Sequence, residues 1–437
     1  MEQLLEMAGK VCDSAEIYSI DYADKSVFFE NAKFNNADSK FQSGLSLRII
    51  KEGKLGFAYT RNLTDRQEFL QNALDSLKGG VGAGFDFPLT KELPRLAIFD
   101  PSLENLSAEK MVQECDRVCD IFKSKTDAEI EMAASANTGK LRIMNSSGTD
   151  VSMKSSGYEI FGHIIYPGTG VGIWRALMSK GFGKMPDDLV SEMIDLYTKT
   201  SKVLEPKGGK MKVLFMPGSQ ITFNWRISSG ISSKSVYEKV SPLAEKVGER
   251  IFHEKITIED DPLDDEFPGA RSFDDEGVAC KPMTVVENGV LKSFFYDLDH
   301  AKKMNAQSTG HGYRTTRWGG DRLTLKPTPA LSHMSIKPGK KSFAELVKQM
   351  DRGMIIENAL GFHSGNIPNG DYSVGVNPGF YVEKGEIVGR VKDAMVAGNI
   401  YETLKNVVDV GDKLYPSSDG AWVPVILCDD VSVATKN

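Results

Sequence analysis

The chain has 437 residues, of which 41% are hydrophobic and 26% charged, and its formal net charge is −7. These values are typical of a soluble globular protein, and the length predicts two domains rather than one. The acidic balance argues against a protein that binds nucleic acid with its whole surface. No apolar run approaches the roughly 20 residues of a membrane span.

The N-terminal segment and the cysteines indicate the compartment. The first residues include Glu2 and Glu6 and lack the apolar stretch that a secretory signal needs. The five cysteines are odd in number and scattered, unlike the disulfide framework of a secreted protein. Cys115 and Cys119 share one face of a predicted helix but have no further zinc ligands nearby. We therefore expect a cytoplasmic protein with reduced thiols.

The first half is predicted to combine antiparallel strands with helices. A short helix is followed by strands that include a hairpin turning at Glu52-Gly53. The strands between residues 128 and 166 are expected to turn at Thr138-Gly139 and at Ser147-Gly148. Further helices are predicted over 63–77, with Thr64 or Asp65 as the N-cap, over 103–125 and over 186–204.

The segment from Glu205 to Lys210, "EPKGGK", is the best linker candidate, because Pro and two Gly separate a helix from a new strand. It divides the chain into predicted domains 1–205 and 210–437. The second half is mostly strands, with hairpins at Asn288-Gly289 and Lys384-Gly385. Helices and strands do not alternate as βαβ units would. The sequence therefore predicts an α+β protein: an N-terminal domain of antiparallel strands with packed helices, then a mainly antiparallel, barrel-like β domain.

His253-Glu254 could begin the zinc-binding motif of a metallopeptidase. Such a motif places a second His four or five residues after the first, on the same helix face. Here Thr257 and Ile258 occupy those positions. Residues 251–259 alternate between apolar and polar types, which predicts a strand rather than a helix. We interpret His253 as a strand residue and not as a metal ligand.

The remaining polar clusters give no metal site either. The other five His residues are far apart, and none has a His or Cys at ligand spacing. Nine carboxylates lie between Glu259 and Glu276, but without the regular spacing of an EF-hand loop. We expect this segment to be a solvated acidic connection, with an interface or an adventitious cation site as the alternative.

Several long segments resemble one protein family, in the same order along the chain. They are "SGLSLRIIKEGKLGFAYT" (43–60), residues 273–314, which include "STGHGYR", "GNIPNGDYSVGV" (365–376) and "NPGFYVEKGEIVGRVKDAMVAGNIYETL" (377–404). This pattern is similar to that of the TldD/PmbA peptidases, a family also called modulators of DNA gyrase. The resemblance covers nearly the whole chain, so it is far more specific than any single motif.

The resemblance implies which of two branches the chain is similar to. The catalytic branch carries a His-Glu-x-x-x-His helix soon after the strand that opens the second domain, and a Cys ligand near the C-terminus. After the strand "MKVLFMPG" (211–218) this chain has no His and no Glu before Glu238. Its one C-terminal thiol, Cys428, lies in an apolar strand, late for the ligand. The chain therefore resembles the TldE/PmbA branch, which lacks the metal motif.

The resemblance also implies partners. A TldD-like homologue would supply zinc, its Glu base and the activated water, while this chain would bind no cofactor and would have no catalytic residue of its own. Together the two subunits would cut unfolded or extended peptides. In isolation we expect a homodimer, and we expect no direct contact with nucleic acid or membrane. The alternatives are a self-sufficient metallopeptidase with unrecognised ligands, and an adaptor protein derived from a peptidase.

Two segments contain candidate peptide-binding or interface residues. His311, Tyr313 and Arg314 lie in a Gly-rich stretch, where Arg314 could hold a peptide carboxylate or carbonyl. The favoured alternative is a tight turn whose Arg pairs with the acidic residues 274–276. Asp371 and Tyr372 lie in a Gly-rich strand that could present an edge to an extended peptide, or could be an inner barrel strand.

Overall fold

The computed structural model describes residues 1–436, and the N-terminal half is built on one antiparallel sheet. Within the described chain this sheet has the strand order β3-β2-β1-β4-β5-β6. Its strands are β1 (Ser14–Glu30), β2 (Lys33–Lys51), β3 (Lys54–Thr60), β4 (Glu129–Asn145), β5 (Asp150–Ile165) and β6 (Gly172–Ser179). The helices are α1 (Glu2–Gly9), α2 (Arg66–Ser76), α3 (Ala108–Lys125) and α4 (Asp187–Lys199).

Helices cover one face of this sheet. The helices α1 and α2 pack on it through Leu4 and Phe69, opposite Ile17 and Leu47 of the strands. Farther along the same face, α3 and α4 bury a row of apolar side chains that includes Cys115 and Cys119. Of the two predicted caps of α2, Thr64 and Asp65, the N-cap is Asp65, whose carboxylate accepts hydrogen bonds from the backbone N–H groups of Gln67 and Glu68.

The C-terminal half contains a mainly antiparallel ten-stranded sheet that curls into a half-barrel, and a smaller six-stranded sheet, both counted within residues 1–436. The larger sheet consists of β7 (Val203–Leu204), β8 (Gly209–Phe215), β15 (Arg352–Ile356), β16 (Ala359–Leu360), β17 (Asp371–Val376), β18 (Gly379–Glu383), β19 (Glu386–Val391), β20 (Met395–Asn399), β21 (Val407–Val410) and β24 (Ile426–Ala434). In this sheet β21 pairs only with β24. The smaller sheet uses β9 (Ile258–Asp260), β10 (Met283–Glu287), β11 (Val290–Leu291), β14 (Met334–Ile336), β22 (Tyr415–Pro416) and β23 (Trp422–Val423). A separate pair is formed by β12 (Gly312–Tyr313) and β13 (Thr328–Pro329).

Short helices complete the second half. They are α5 (Ile221–Ile231), α6 (Ser233–Tyr237), α7 (Leu298–Lys303), α8 (Phe343–Lys348) and α9 (Ile400–Thr403). The predicted fold class, α+β with antiparallel strands and packed helices followed by a barrel-like β region, is confirmed.

The strand β8 lies at the centre of the molecule. Val213 and Phe215 face the apolar core of the C-terminal half, while Leu214 and Met216 face a second core that also contains α3 and α4. Successive side chains of a strand point to opposite faces, so this strand is buried on both. The two helices therefore pack between the N-terminal sheet and the ten-stranded sheet, and both halves share one apolar core.

The predicted turns at Glu52-Gly53, Asn288-Gly289 and Lys384-Gly385 are all present. In each pair both residues have positive φ angles, between 47° and 79°. This is the backbone conformation of a two-residue type I′ hairpin turn, for which Gly is the favoured second residue. The predicted turn at Ser147-Gly148 is also present, but the one at Thr138-Gly139 is wrong. There β4 continues without interruption, because β1 and β5 pair with it on both sides.

The predicted strand over residues 251–259 is wrong. The observed strand covers only Ile258–Asp260, and residues 251–257 form turns. Their backbone bonds go to the tip of the 288–289 hairpin: Ile251 and Phe252 donate to the Gly289 carbonyl, and Gly289 donates to Ile256. Three consecutive buried residues, Ile256 to Ile258, also break the expected alternation.

The acidic segment, residues 259–276, was expected to be a solvated connection, and this expectation is wrong for part of it. Asp260, Asp274, Asp275 and Glu276 are all buried. The Asp274 carboxylate accepts backbone hydrogen bonds from residues 276, 278 and 312. The sequence pattern could not reveal this, because the cations and N–H groups that satisfy these carboxylates come from distant segments.

A buried ion cluster joins the two halves. The Arg48 guanidinium, on the N-terminal sheet, donates to both Glu16 carboxylate oxygens at 2.8 and 2.9 Å and to Glu276 at 3.1 Å. All three side chains are at most 3% exposed. Phe87 lies against the guanidinium, with its ring centroid 5.3 Å from the Arg48 Cζ atom. Because an unpaired buried charge is costly, this cluster ties the acidic segment to the sheet.

We expect Arg48→Met to destabilise the protein by about 3–5 kcal/mol, because it leaves two buried carboxylates without their main partner. Urea unfolding followed by circular dichroism would measure the change. Arg142→Met is the matched control: Arg142 pairs with Asp150 and Glu2 at the surface, so it should cost less than about 1 kcal/mol. Equal effects of the two substitutions would contradict the assigned role of Arg48.

Candidate functional site

A cleft of about 500 Å³ opens between the N-terminal sheet and the C-terminal half. On the sheet side it is lined by alternate residues of β5 and by residues of β6. On the other side it is lined by Gly218 and Ile221 at the start of α5, by residues 358–362 and by residues 416–418. We call this cavity the cleft. Its size is within the range of small-molecule and peptide-side-chain pockets.

The cleft exists because the C-terminal half covers only part of the free sheet face. Near Tyr18 and Ile143 that face is packed under Phe273 and Leu323. The register places Phe28, Ala133 and Phe161 in one row farther along the same face. There no C-terminal core residue covers the described strands, and Phe28 is 41% exposed.

The sheet side of the cleft is aromatic and carries one unpaired carboxylate. Glu159, Phe161 and His163 alternate along β5 and so point to one face. Phe161 lies with its ring centroid 5.8 Å from that of Trp174 and 6.1 Å from that of His163. Burial lowers the pKa of His163, although its Nδ1 lies 3.2 Å from a Glu131 carboxylate oxygen. The imidazole is therefore neutral at pH 7.

The two sides of the cleft are connected by one hydrogen bond. The Trp174 indole N–H donates to the Asn358 side-chain oxygen at 2.7 Å. Gly218 approaches the same oxygen so closely that a Cβ atom would overlap it. A residue without a side chain is therefore required at position 218, at the entrance to α5.

A smaller cavity of about 180 Å³ adjoins the cleft and shares Trp174, Met178 and Pro416 with it. It contains a buried ion pair between Arg175 and Glu357. Burial raises the pKa of Glu357, and Arg175 opposes that shift. Arg175 also contacts Glu192 of α4 at 3.2 Å. This cavity's charges are thus paired with each other and serve to hold the β6 strand against α4.

Helix α5 lies where the resemblance places the metal motif of the catalytic branch, but its side chains have other partners. Arg226 donates to the backbone carbonyls of Asp371, Phe362 and Ser364 and to Thr222 of its own helix, at 2.6 to 2.9 Å. Burial lowers the pKa of Arg226 to about 10. It therefore stays charged at neutral pH and fixes the segment 361–371 beside the cleft.

The C-terminal segment meets α5 at the same corner. The Asn224 amide donates to Asp419 at 3.2 Å, and the Gln220 amide donates to the Pro424 carbonyl at 2.6 Å. Cys428 lies beyond this corner, fully buried in β24, where burial strongly raises the pKa of its thiol. The structure thus brings together the two segments from which the resemblance implies metal ligands.

The residues at this corner do not fit a zinc ion. Zinc sites need several His, Cys, Asp or Glu side chains converging on one point. Within residues 1–436 no group of three or more such side chains is placed to hold a metal ion. At the corner, Arg226 contributes a positive charge, and Asp419 is already paired with Asn224 and Arg317. No catalytic step through a metal is therefore assigned to this chain.

The predicted peptide-contact residues His311, Tyr313 and Arg314 lie in the interior and are at most 3% exposed. The backbone N–H of Arg314 donates to Asp275, but its guanidinium reaches Ser46 and Glu16 of the N-terminal sheet and lies over the Tyr18 ring, instead of pairing with residues 274–276. Arg314 thus supports the contact between the halves, whereas His311 and Tyr313 contact Asp260 and Cys280 of the C-terminal half. The burial of all three predicted residues gives no support to a role in peptide contact.

The second predicted pair lies near the cleft but faces away from it. Asp371 is exposed at the start of β17 and accepts from the Asn399 amide. Tyr372 is 3% exposed and bonds to Thr403. On the outer side of this strand, the Arg226 guanidinium donates a hydrogen bond to the Asp371 carbonyl. The backbone groups of Asp371 are thus bonded to Arg226 and to Asn366, and β16 pairs with the far end of the strand.

His253 and Glu254 line a separate shallow depression with Arg250, Phe252 and Lys405. The cleft residues Glu159, Phe161 and Trp174 were not predicted from the sequence. The available signal was the period of two in residues 157–163, where polar and aromatic residues alternate with apolar ones. That pattern identifies an open strand face, but it does not reveal which segment lies opposite.

Known proteins resemble the chain over its full length. The sequence model described as the PmbA/TldA metallopeptidase C-terminal domain matches residues 208–435, and the model of metallopeptidase domain 1 matches residues 15–78. The metalloprotease PmbA of Escherichia coli O157:H7 is 25% identical over 448 residues, covering 95% of this chain and 91% of the relative.

Two solved structures have the same fold. TldE from Thermococcus kodakarensis superposes with a TM-score of 0.91 at 24% identity, covering 99% of both chains. A Thermotoga maritima structure, described as a candidate modulator of a DNA gyrase, gives a TM-score of 0.88 at 24% identity and the same coverage. The sequence models and the shared fold identify a scaffold of the metallopeptidase type. The chain belongs to the PmbA/TldD metallopeptidase family, as the resemblance implied.

Among the helices of residues 1–436, none combines the length and the apolar character needed to span a bilayer.

We expect Arg226→Met to free the segment 361–371, because three backbone carbonyls of that segment lose their donor. Hydrogen exchange measured by mass spectrometry should show amides of residues 361–371 exchanging at least about 10-fold faster. Arg352→Met is the control, since Arg352 donates to Tyr381 and Lys207 elsewhere on the surface. Unchanged exchange in the Arg226 variant would show that the segment is held by other contacts.

Proposed function

We propose that this chain is a TldE/PmbA-like, non-catalytic subunit of a heterodimeric zinc metallopeptidase in the cytoplasm that cuts unfolded peptides. The observation that carries the proposal is the corner between α5 and residues 417–424. There the Asn224 amide donates to Asp419, and Arg226 donates to the Ser364 carbonyl. These residues offer no set of ligands for a zinc ion, although a peptide-sized cleft opens beside them. The chain keeps the scaffold of a peptidase and lacks the means to activate water.

In this proposal the two subunits have separate tasks. The catalytic partner, when loaded, supplies the zinc ion and the activated water. This chain supplies part of the chamber wall: the aromatic face of β5 and β6, and the Asn358 and Asn377 amides on the opposite side. Aromatic rings give apolar contact area at low entropic cost, and side-chain amides can bond to a peptide backbone. The chain therefore contributes substrate binding and not chemistry.

We expect the protein alone not to cleave an unfolded test peptide, because no residue of the corner can activate water. Mixed with a TldD-like homologue that carries the His-Glu-x-x-x-His motif, it should raise cleavage strongly, and a chelator should abolish that cleavage. Peptide cleavage can be followed by chromatography of the products. Zinc-dependent cleavage by the isolated chain would favour a self-sufficient enzyme. Tight peptide binding without any stimulation of a partner would favour an adaptor.

The His253 and Glu254 pair provides the internal control for this experiment. Both residues lie on turns in a depression separate from the cleft, so replacing both by Ala should leave the mixture's rate within a few-fold. Loss of a general base typically lowers the rate by about 10²-fold or more. A loss of that size, in a double variant that still pairs with its partner, would make the pair catalytic.

In the absence of its partner we expect the chain to form a homodimer burying more than about 2,000 Å² in total, an obligate-type interface. The reason is that a chamber shared by two subunits leaves a large complementary surface on each. Sedimentation velocity at micromolar concentration should give the mass of two chains. A monomer under those conditions would contradict the expectation.

A further inference from the structure

The cleft carries a negative charge that the chain itself does not neutralise. Glu159 is half-buried on β5 and lines the cleft, and none of the described residues donates a hydrogen bond to it or forms an ion pair with it. Its cross-strand neighbours are Ser135 on β4 and Met178 on β6. Neither supplies a cation, so the charge faces the cavity.

Among residues 1–436, no Lys or Arg side chain lines the cleft. The charged residues of α4 and β6 nearby, Arg175 and Glu192, are paired beside the smaller cavity. His163, the other titratable residue of the lining, is held neutral by burial, and Glu131 at its rim adds a second carboxylate. Burial raises the pKa of Glu159, because the charged carboxylate loses water and gains no partner among the described residues. A cation in the cleft would stabilise the charged carboxylate.

Aromatic rings line the cleft together with this carboxylate. Phe161 follows Glu159 on the same strand face, about 7 Å farther along. The Phe161 and Trp174 rings lie 5.8 Å apart and are tilted by 38°. Ring faces attract organic cations, most strongly where water is partly excluded. Trp174 lies opposite His163, farther along the cleft from Glu159. A carboxylate and aromatic rings in one cavity are complementary to an ammonium or guanidinium group on a chain with apolar parts.

We propose that Glu159, Phe161 and Trp174 form a subsite for a cationic group of an extended peptide, either a Lys or Arg side chain or an N-terminal amine. The inference rests on the proposed function, because it takes a peptide as the occupant of the cleft. It goes beyond that function by assigning a chemical preference to the non-catalytic subunit. The non-catalytic subunit then contributes to the choice of peptide.

Direct binding to the chain alone tests the subsite independently of any cleavage. The probes are capped alanine pentapeptides whose central residue is Lys, Arg or norleucine, titrated by calorimetry. We expect the Lys and Arg peptides to bind about 10-fold more tightly than the norleucine peptide, a preference in the range of a partly desolvated cation–π and charge contact. Equal affinities, or no binding at millimolar concentrations, would overturn the proposal.

Variants separate charge from shape. Glu159→Gln should abolish the preference for Lys over norleucine and leave norleucine binding unchanged, and Phe161→Leu should reduce the preference several-fold. Glu109→Gln removes the same charge from the exposed face of α3 and should change nothing. A thermal melt confirms that each variant is folded. A Lys preference that survives in Glu159→Gln would overturn the assignment.

A further pair of probes identifies the source of the cation. The norleucine pentapeptide with a free N-terminus is compared with its acetylated form. If the free amine increases the binding affinity as much as Lys does, the subsite also accepts peptide N-termini. Should the mixed subunits fail to cleave while the Lys preference holds, the proposed function fails and the subsite stands. If the mixed subunits cleave but Glu159→Gln leaves the Lys preference unchanged, the subsite fails and the proposed function stands.

Discussion

The arrangement of this molecule depends on one buried contact, in which Arg48 bridges Glu16 of its own sheet and Glu276 of the C-terminal half. Charges withdrawn from water must be paired there, and the geometry that pairs them fixes the position of the acidic segment on the sheet. Arg314 reaches into the same cluster from the C-terminal half, with its guanidinium 3.6 Å from Glu16. The halves are thus positioned by charge and hydrogen bonds as well as by their shared apolar core.

The cleft is a consequence of that attachment. The cluster holds the C-terminal half over one end of the sheet face, near Tyr18, and leaves the other end uncovered. What remains open is a strand face with Glu159, Phe161 and His163, opposite the start of α5. In the proposed function, the residues that join the halves and those that meet a peptide lie on the same face, at opposite ends.

Local features could be predicted from the sequence, whereas features that depend on distant partners could not. The hairpins at Asn288-Gly289 and Lys384-Gly385 follow from backbone preferences of two residues. The Thr138-Gly139 pair carries a similar signal, yet pairing on both sides of β4 overrides it. The acidic segment was expected in solvent because Arg48 and the N–H of Gly312, which satisfy it, are far away in sequence. The lack of His and Glu on α5 is a property of the sequence itself, whereas the cleft that faces that helix could not be predicted from it.

The position of β8 has a consequence for biosynthesis. This strand begins at residue 209, but its neighbours in the sheet are β15 and β24, and β24 starts only at residue 426. At typical translation rates of about 5–20 residues per second, roughly 10–45 s pass between the synthesis of the two strands. During that interval β8 can pair with β15, but its other edge has no partner strand, and the apolar core around α3 and α4 lacks Val425 and Leu427. The ten-stranded sheet is therefore closed around β8 only after its last strand has been synthesised.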